Sequence, residues 1–224
     1  MSHPFRNAAL ALALATLAGN AAAEGAFAQL YAARPPAGSS FVRIVNPDAA
    51  PLRVQIANGP AQEPGAAKPA TTYAIVRGNQ PFNVLVDGKP AASLQVPPDT
   101  FSTLIPQRSD GKLTFAVIDD SNGTQDALKA ELRFYNLAAD CTAGQLGVSP
   151  SGPALFQDVK RGASAARAIN PVSATLAAGC GAAASSALPL PALQPGDHYS
   201  LFLTGTAAAP VLRGQVSATD PYSR

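Results

Sequence analysis

Asp197-His198 is the first place in this sequence where acid–base chemistry suggests itself, since His198 is the one histidine beyond His3. A nucleophilic relay needs an imidazole bonded to a hydroxyl or thiol on one side and to an orienting carboxylate on the other. Neighbours in a strand point to opposite faces, so Asp197 cannot orient His198 by itself. No G-x-S-x-G elbow is present. The dipeptide therefore reads as a turn aspartate and a half-exposed histidine, and no catalytic residue is assigned. Asp119-Asp120-Ser121-Asn122-Gly123-Thr124 resembles a calcium loop only faintly, because the glycine of position 6 and the closing glutamate are missing. It reads as a solvated linker. No glycine-rich phosphate loop precedes a helix, so no cofactor is expected.

Two thiols remain, Cys141 and Cys180, in no C-x-x-C arrangement. A zinc site wants four ligands, and only His198 is left to join them. The simplest reading is one disulfide, with two separate buried thiols as the alternative. That reading needs an oxidising compartment, and the N-terminus supplies the reason to expect one. Arg6 precedes an apolar run from Ala8 to Ala18, and Ala21-Ala22-Ala23 offers small residues for cleavage. This is the layout of a secretory signal peptide over residues 1–23. Cleavage after Ala28 is the second choice, and a buried N-terminal helix is the alternative reading. The run falls short of the roughly 20 apolar residues that span a bilayer, and no later stretch reaches that length.

Charge says little about partners. With Arg6 set aside, 15 basic side chains face 14 acidic ones, so no basic face for nucleic acid is expected. The absence of Trp and the presence of only five Tyr argue against a neutral-sugar module built on ring stacking. Lys160, Arg161 and Arg167 form the one candidate contact for a polyanion, against ordinary solvated charges.

The elements that must carry these residues are strands. With 21 Pro and 18 Gly, long helices are disfavoured and turns are frequent. Apolar alternation predicts strands at 41–45, 52–56, 72–77, 82–86, 92–96, 101–105 and 113–118, with Asp87-Gly88 as a hairpin turn. That density suits an immunoglobulin-like sandwich. After the linker the pattern repeats. Glu131-Leu-Arg133-Phe-Tyr-Asn136 echoes Phe41-Val-Arg43-Ile-Val-Asn46, and Leu193-Gln-Pro-Gly-Asp197-His-Tyr199 echoes Leu94-Gln-Val-Pro-Pro-Asp99-Thr-Phe101. Phe41 to Leu94 is 53 residues and Leu132 to Leu193 is 61, so two motifs recur in order at similar spacing. The expectation is an all-β protein of two tandem immunoglobulin-like β-sandwich domains. These are assigned as signal peptide 1–23, N-terminal segment 24–39, domain 40–120, linker 121–129 and domain 130–224.

Leu30-Tyr31, Pro36-x-Gly38-Ser39-x-Phe41-Val42-Arg43-x-x-Asn46, Arg161-Gly162, Ile169-Asn170-Pro171-Val172 and Leu193-x-Pro195-Gly196-Asp197-x-Tyr199-x-Leu201-x-x-Thr204-Gly205 occur in that order. The set resembles the AlgF family of alginate O-acetylation accessory proteins. The resemblance implies a periplasmic, non-catalytic adaptor that binds periplasmic and membrane proteins of the acetylation machinery; a module that holds the polysaccharide for those enzymes is the alternative. Similar accessory proteins belong to cellulose acetylation, so two polymers are open. The family offers no catalytic residues to carry over, and the matched Arg43, Asn46, Asn170, Pro171, Asp197 and Tyr199 are read as structural.

Overall fold

Short apolar alternations broken by frequent turn residues give the chain no helical period to follow. The computed structural model describes residues 34–109, 111–123 and 126–222, and these are strand and loop throughout. The cleavage sites after Ala23 and Ala28, and residues 124 and 125 of the linker, lie outside the described residues. Among those described, no helix is long and apolar enough to cross a membrane.

The first half contains β1 (Ser39–Ile44), β2 (Val54–Ile56), β3 (Ala74–Arg77), β4 (Phe82–Val86), β5 (Lys89–Leu94), β6 (Phe101–Ser109) and β7 (Lys112–Asp119). They form a sheet of order β3-β1-β6-β7 and a second of order β2-β4-β5. Asp87 and Gly88 both take positive φ, 51° and 75°, as a two-residue hairpin with type I′ geometry requires. The second half holds β8 (Ala130–Asn136), β9 (Ala143–Val148), β10 (Ala154–Lys160), β11 (Ser164–Ile169), β12 (Thr175–Cys180), β13 (Ala183–Ala184), β14 (Leu188–Pro189), β15 (His198–Gly205) and β16 (Pro210–Val216). Its sheets run β11-β8-β15-β16 and β10-β9-β12-β13, with β14 also on β12. The all-β, sandwich-like layout expected from the sequence is present. In each half the first strand lies inside its sheet, antiparallel to one neighbour and parallel to the other, β6 or β15.

The repeat is clearest in the hydrogen bonds, and they correct the echo by one residue. The Phe41 amide donates to the Thr100 carbonyl and the Glu131 amide to that of Asp197. Those of Asp120 and Ser217 donate to Phe101 and His198. So Phe101 corresponds to His198, not to Tyr199, and Asp99 corresponds to Gly196, not to Asp197. The reason is the turn: Asp99 (φ 57°) and Gly196 (φ 87°) both occupy the left-handed position after a proline. Tyr199 is buried, with Gly214 beneath its ring, whereas Phe101 stays 37% exposed and stacks on Phe41 at 4.5 Å between ring centroids. Of the two aromatics that the echo pairs, only Tyr199 is anchored in a core.

Strands β1 and β8 are each buried on both faces. Val42 and Ile44 enter the core of the first half, and Leu132 and Phe134 that of the second. Their other faces meet in a third cluster of Val45, Ala70, Ile105, Ile118, Tyr135 and Phe202, which joins the halves. Gly78 illustrates how tightly the first half closes. A Cβ there would lie 2.2 Å from Pro98 Cα, so Gly78→Ala is expected to lower stability by about 1–3 kcal/mol through overpacking. A denaturant midpoint unchanged by the substitution would show that the turn yields freely.

Candidate functional site

Between the two face-to-face sheets lies a buried polar cluster centred on the duplicated arginines. Alternation along β1 turns Arg43 away from its own core and into the joint, where it is 0% exposed. Its Nε donates to Thr103 Oγ1 at 2.9 Å and its Nη1 to Ser217 Oγ at 3.0 Å. Its Nη2 donates to Tyr135 Oη at 2.7 Å and to Ser200 Oγ at 2.9 Å. The guanidinium lies 4.5 Å from the centroid of the Tyr73 ring, a favourable cation–π placement. Asp120 supplies the counter-charge. Its carboxylate accepts from Tyr73 Oη at 2.8 Å, from Tyr135 Oη at 2.7 Å and from Thr103 Oγ1. It stands 4.0 Å from both Arg43 and Arg133. Arg133 in turn bonds Glu131 Oε1 at 3.2 Å.

The cluster opens on one side into a cleft of about 380 Å³ between the halves, with Phe101, Glu131, Arg133 and His198 on its walls. His198 Nδ1 is 3.5 Å from Glu131 Oε1, across the parallel β8–β15 pair, with its side chain 59% exposed. Its acidic neighbour is thus Glu131, not Asp197. Ser217 sits opposite His198 on the continuation of β16, yet its hydroxyl receives Arg43 and pairs with Ser200 at 3.0 Å. Arranged this way, the serines complete the arginine lock rather than a relay.

Burial drives the tyrosine hydroxyls upward in pKa. Tyr135 rises to about 12, and Tyr73 is raised further still. In the unfolded chain a tyrosine loses its proton near 10. Between those values the unfolded state binds fewer protons than the native one, so stability falls as pH rises. Below about pH 10 this contribution is intact. Phenolate absorbance of Tyr73 and Tyr135 is expected to appear only together with unfolding; smooth titration of all tyrosines near pH 10 in the folded protein would contradict it.

The residues singled out in the sequence fall into separate places. Cys141 and Cys180 are bonded to each other, joining the segment after β8 to the end of β12. Asn46 and Asn136 do the same job in each half. The first donates to the carbonyls of Ala50 and Pro64, the second to those of Cys141 and Val159. Asp197 closes the turn after Gln194, accepting from its amide at 2.7 Å. Asn170 and Pro171 are exposed after β11. Lys160 and Arg161 are adjacent and exposed at the end of β10. Arg167 is held at the other end of that strand, where its Nη1 donates to the Leu155 carbonyl at 3.0 Å. Five residues of strand, about 16 Å, separate Leu155 from Lys160.

Most of the cluster was not legible in the sequence. Asp120, assigned to a solvated linker, is 5% exposed. Tyr73, Tyr135, Glu131, Ser200 and Ser217 carried no local signal; the recurrence of arginine at 43 and 133, each three residues before an asparagine, was the one available clue.

A family model described as "Alginate O-acetyl transferase AlgF" covers residues 9–200. No curated protein matches the chain. A solved structure described as a cell adhesion protein from Bacteroides ovatus ATCC 8483 is similar at 10% identity, covering 84% of this chain and all of that one, with a TM-score of 0.26. That score does not extend to a shared arrangement of the whole chain.

Proposed function

This chain belongs to the AlgF family, and we propose that it takes part in alginate O-acetylation as a periplasmic, non-catalytic adaptor bridging components of the acetyltransferase machinery. The observation that carries this reading is where the polar groups are spent. Arg43, Asp120, Tyr135, Ser200 and Ser217 bond one another inside the joint, so their chemistry fixes the relative placement of two sandwiches. A pair of joined sandwiches with several sheet edges suits protein–protein bridging. The disulfide belongs to an oxidising compartment such as the periplasm.

The test is genetic and chemical together. Deleting the gene in an alginate-producing cell is expected to leave polymer yield unchanged and to remove its acetyl groups. Complementation with His198→Ala should restore them, and the tagged protein should co-purify with the membrane acyltransferase or its periplasmic partner. Turnover of an acetyl ester by the purified protein, lost in His198→Ala, would overturn the adaptor reading.

A further inference from the structure

A second cleft, of about 420 Å³, lies between the halves, built partly from β6 and β7 and partly from the segments after β1 and β8, the β10–β11 turn and β16. Ile105, Ala116, Ile118, Leu137 and Val211 contribute its apolar surface. Ile105 and Ile118 belong to the cluster that joins the halves, with Ala116 and Leu137 packed on it, so the cleft is the open rim of that interface. Val211 is left 41% exposed. Two arginines border this apolar surface. Arg161 is exposed and makes no hydrogen bond or ion pair among the described residues. Among the described residues, Arg213 reaches only the carbonyls of Pro47 and Asp48, both at 3.4 Å. Asp48 is the one acidic side chain among the described residues that line the cleft.

We propose that this cleft is a docking site for a segment of a partner protein whose apolar side chains cover the aliphatic surface and whose carboxylate pairs with Arg161 and Arg213. The proposal rests on the adaptor reading and supplies its contact surface. Two cations against one anion call for a negatively charged occupant. Arginine's planar fork is suited to a carboxylate, and Arg161 has all its donors to give. The apolar part of the site selects between anionic occupants. It is aliphatic and lacks an aromatic ring on which a sugar could stack, whereas Leu-, Val- or Ile-like side chains would remove it from water. Because both halves contribute, the occupant reads the pair and not either sandwich alone.

The experiment places the photo-crosslinker p-benzoylphenylalanine at Val211, and at the exposed Val172 (56%) as a control, in full-length protein within alginate-producing cells. Adducts are mapped by mass spectrometry, with co-purification of the acetylation machinery followed in parallel. The expected result is an adduct from position 211, absent from 172, with one segment of an acetylation protein that carries Asp or Glu beside apolar residues. The paired change R161E/R213E should cut that adduct about tenfold or more while leaving the thermal midpoint unchanged. An adduct with polysaccharide alone, or a protein adduct indifferent to R161E/R213E, overturns the proposal. So does silence at 211 while the machinery still co-purifies, and then the adaptor reading survives. Silence at 211 with no co-purification removes both.

Discussion

Arg43→Met is expected to be the most damaging single substitution in the described body, lowering stability by about 3–5 kcal/mol. The side chain that replaces the guanidinium fills similar space, so the loss is not a cavity effect. It comes from what stays behind. Asp120 would keep a carboxylate with 5% exposure and lose one of its two nearby cations. Tyr135, Thr103, Ser200 and Ser217 would each lose the donor that now satisfies them. Breaking one side of such a set leaves desolvated polar groups uncompensated. For a body of this size each kcal/mol moves the thermal midpoint by about 2–4 °C, so a fall on the order of 10 °C is expected. Arg43→Lys should recover little, since an ammonium cannot serve four acceptors in one plane. The double variant Arg43→Met/Asp120→Leu should be more stable than the single one, because it removes the stranded charge. Thermal and denaturant unfolding of the three variants measures this directly. A single-variant loss below about 1 kcal/mol would mean the cluster is well hydrated and does not lock the joint.

Removing the disulfide is expected to cost about as much, by a different route. Cys141 and Cys180 are 39 residues apart, and closing a loop of that length contributes about 4 kcal/mol in the chain-entropy account. The segment it restrains is poor in other supports. Between β12 and β15 the chain has only two two-residue strands, β13 and β14, and much of the 180–195 stretch is alanine, serine and proline. Reduced protein, or the Cys141→Ala/Cys180→Ala variant, should therefore unfold at lower denaturant and be cut first within 181–195 by a protease. Equal midpoints with and without reductant would sink this account. The damage should centre on the second half, whose core includes Cys141, while the core of Val42, Ile44 and Leu104 keeps its packing.

The two predictions divide along a line that also separates the sequence from the fold. The disulfide was legible in advance, since a signal-peptide layout and an isolated pair of thiols leave few other partners. Strand positions were legible too, because alternation and turn residues are local: the seven strands predicted for the first half are the seven found, with ends displaced by a few residues. The one-residue error in the second echo has an equally local cause. Aligning Asp99 with Asp197 matched letters, whereas the backbone matched left-handed turn positions, which Asp99 and Gly196 fill by different means.

By itself, then, the sequence determined an all-β chain, its internal repeat, its disulfide and its family, because each depends on residue type, period or order along the chain. Only the tertiary structure decided what the repeated arginines do. An arginine between Val42 and Ile44 reads as the solvent side of a half-buried strand, and the pattern is the same whether that side meets water or a second sheet. Packing one half against the other buried that face, brought Ser200 and Ser217 to Arg43 from 157 and 174 residues away, and drew Asp120 out of the solvent. Burial makes each of those hydrogen bonds obligatory, and no local pattern in the chain records which distant residues will satisfy them.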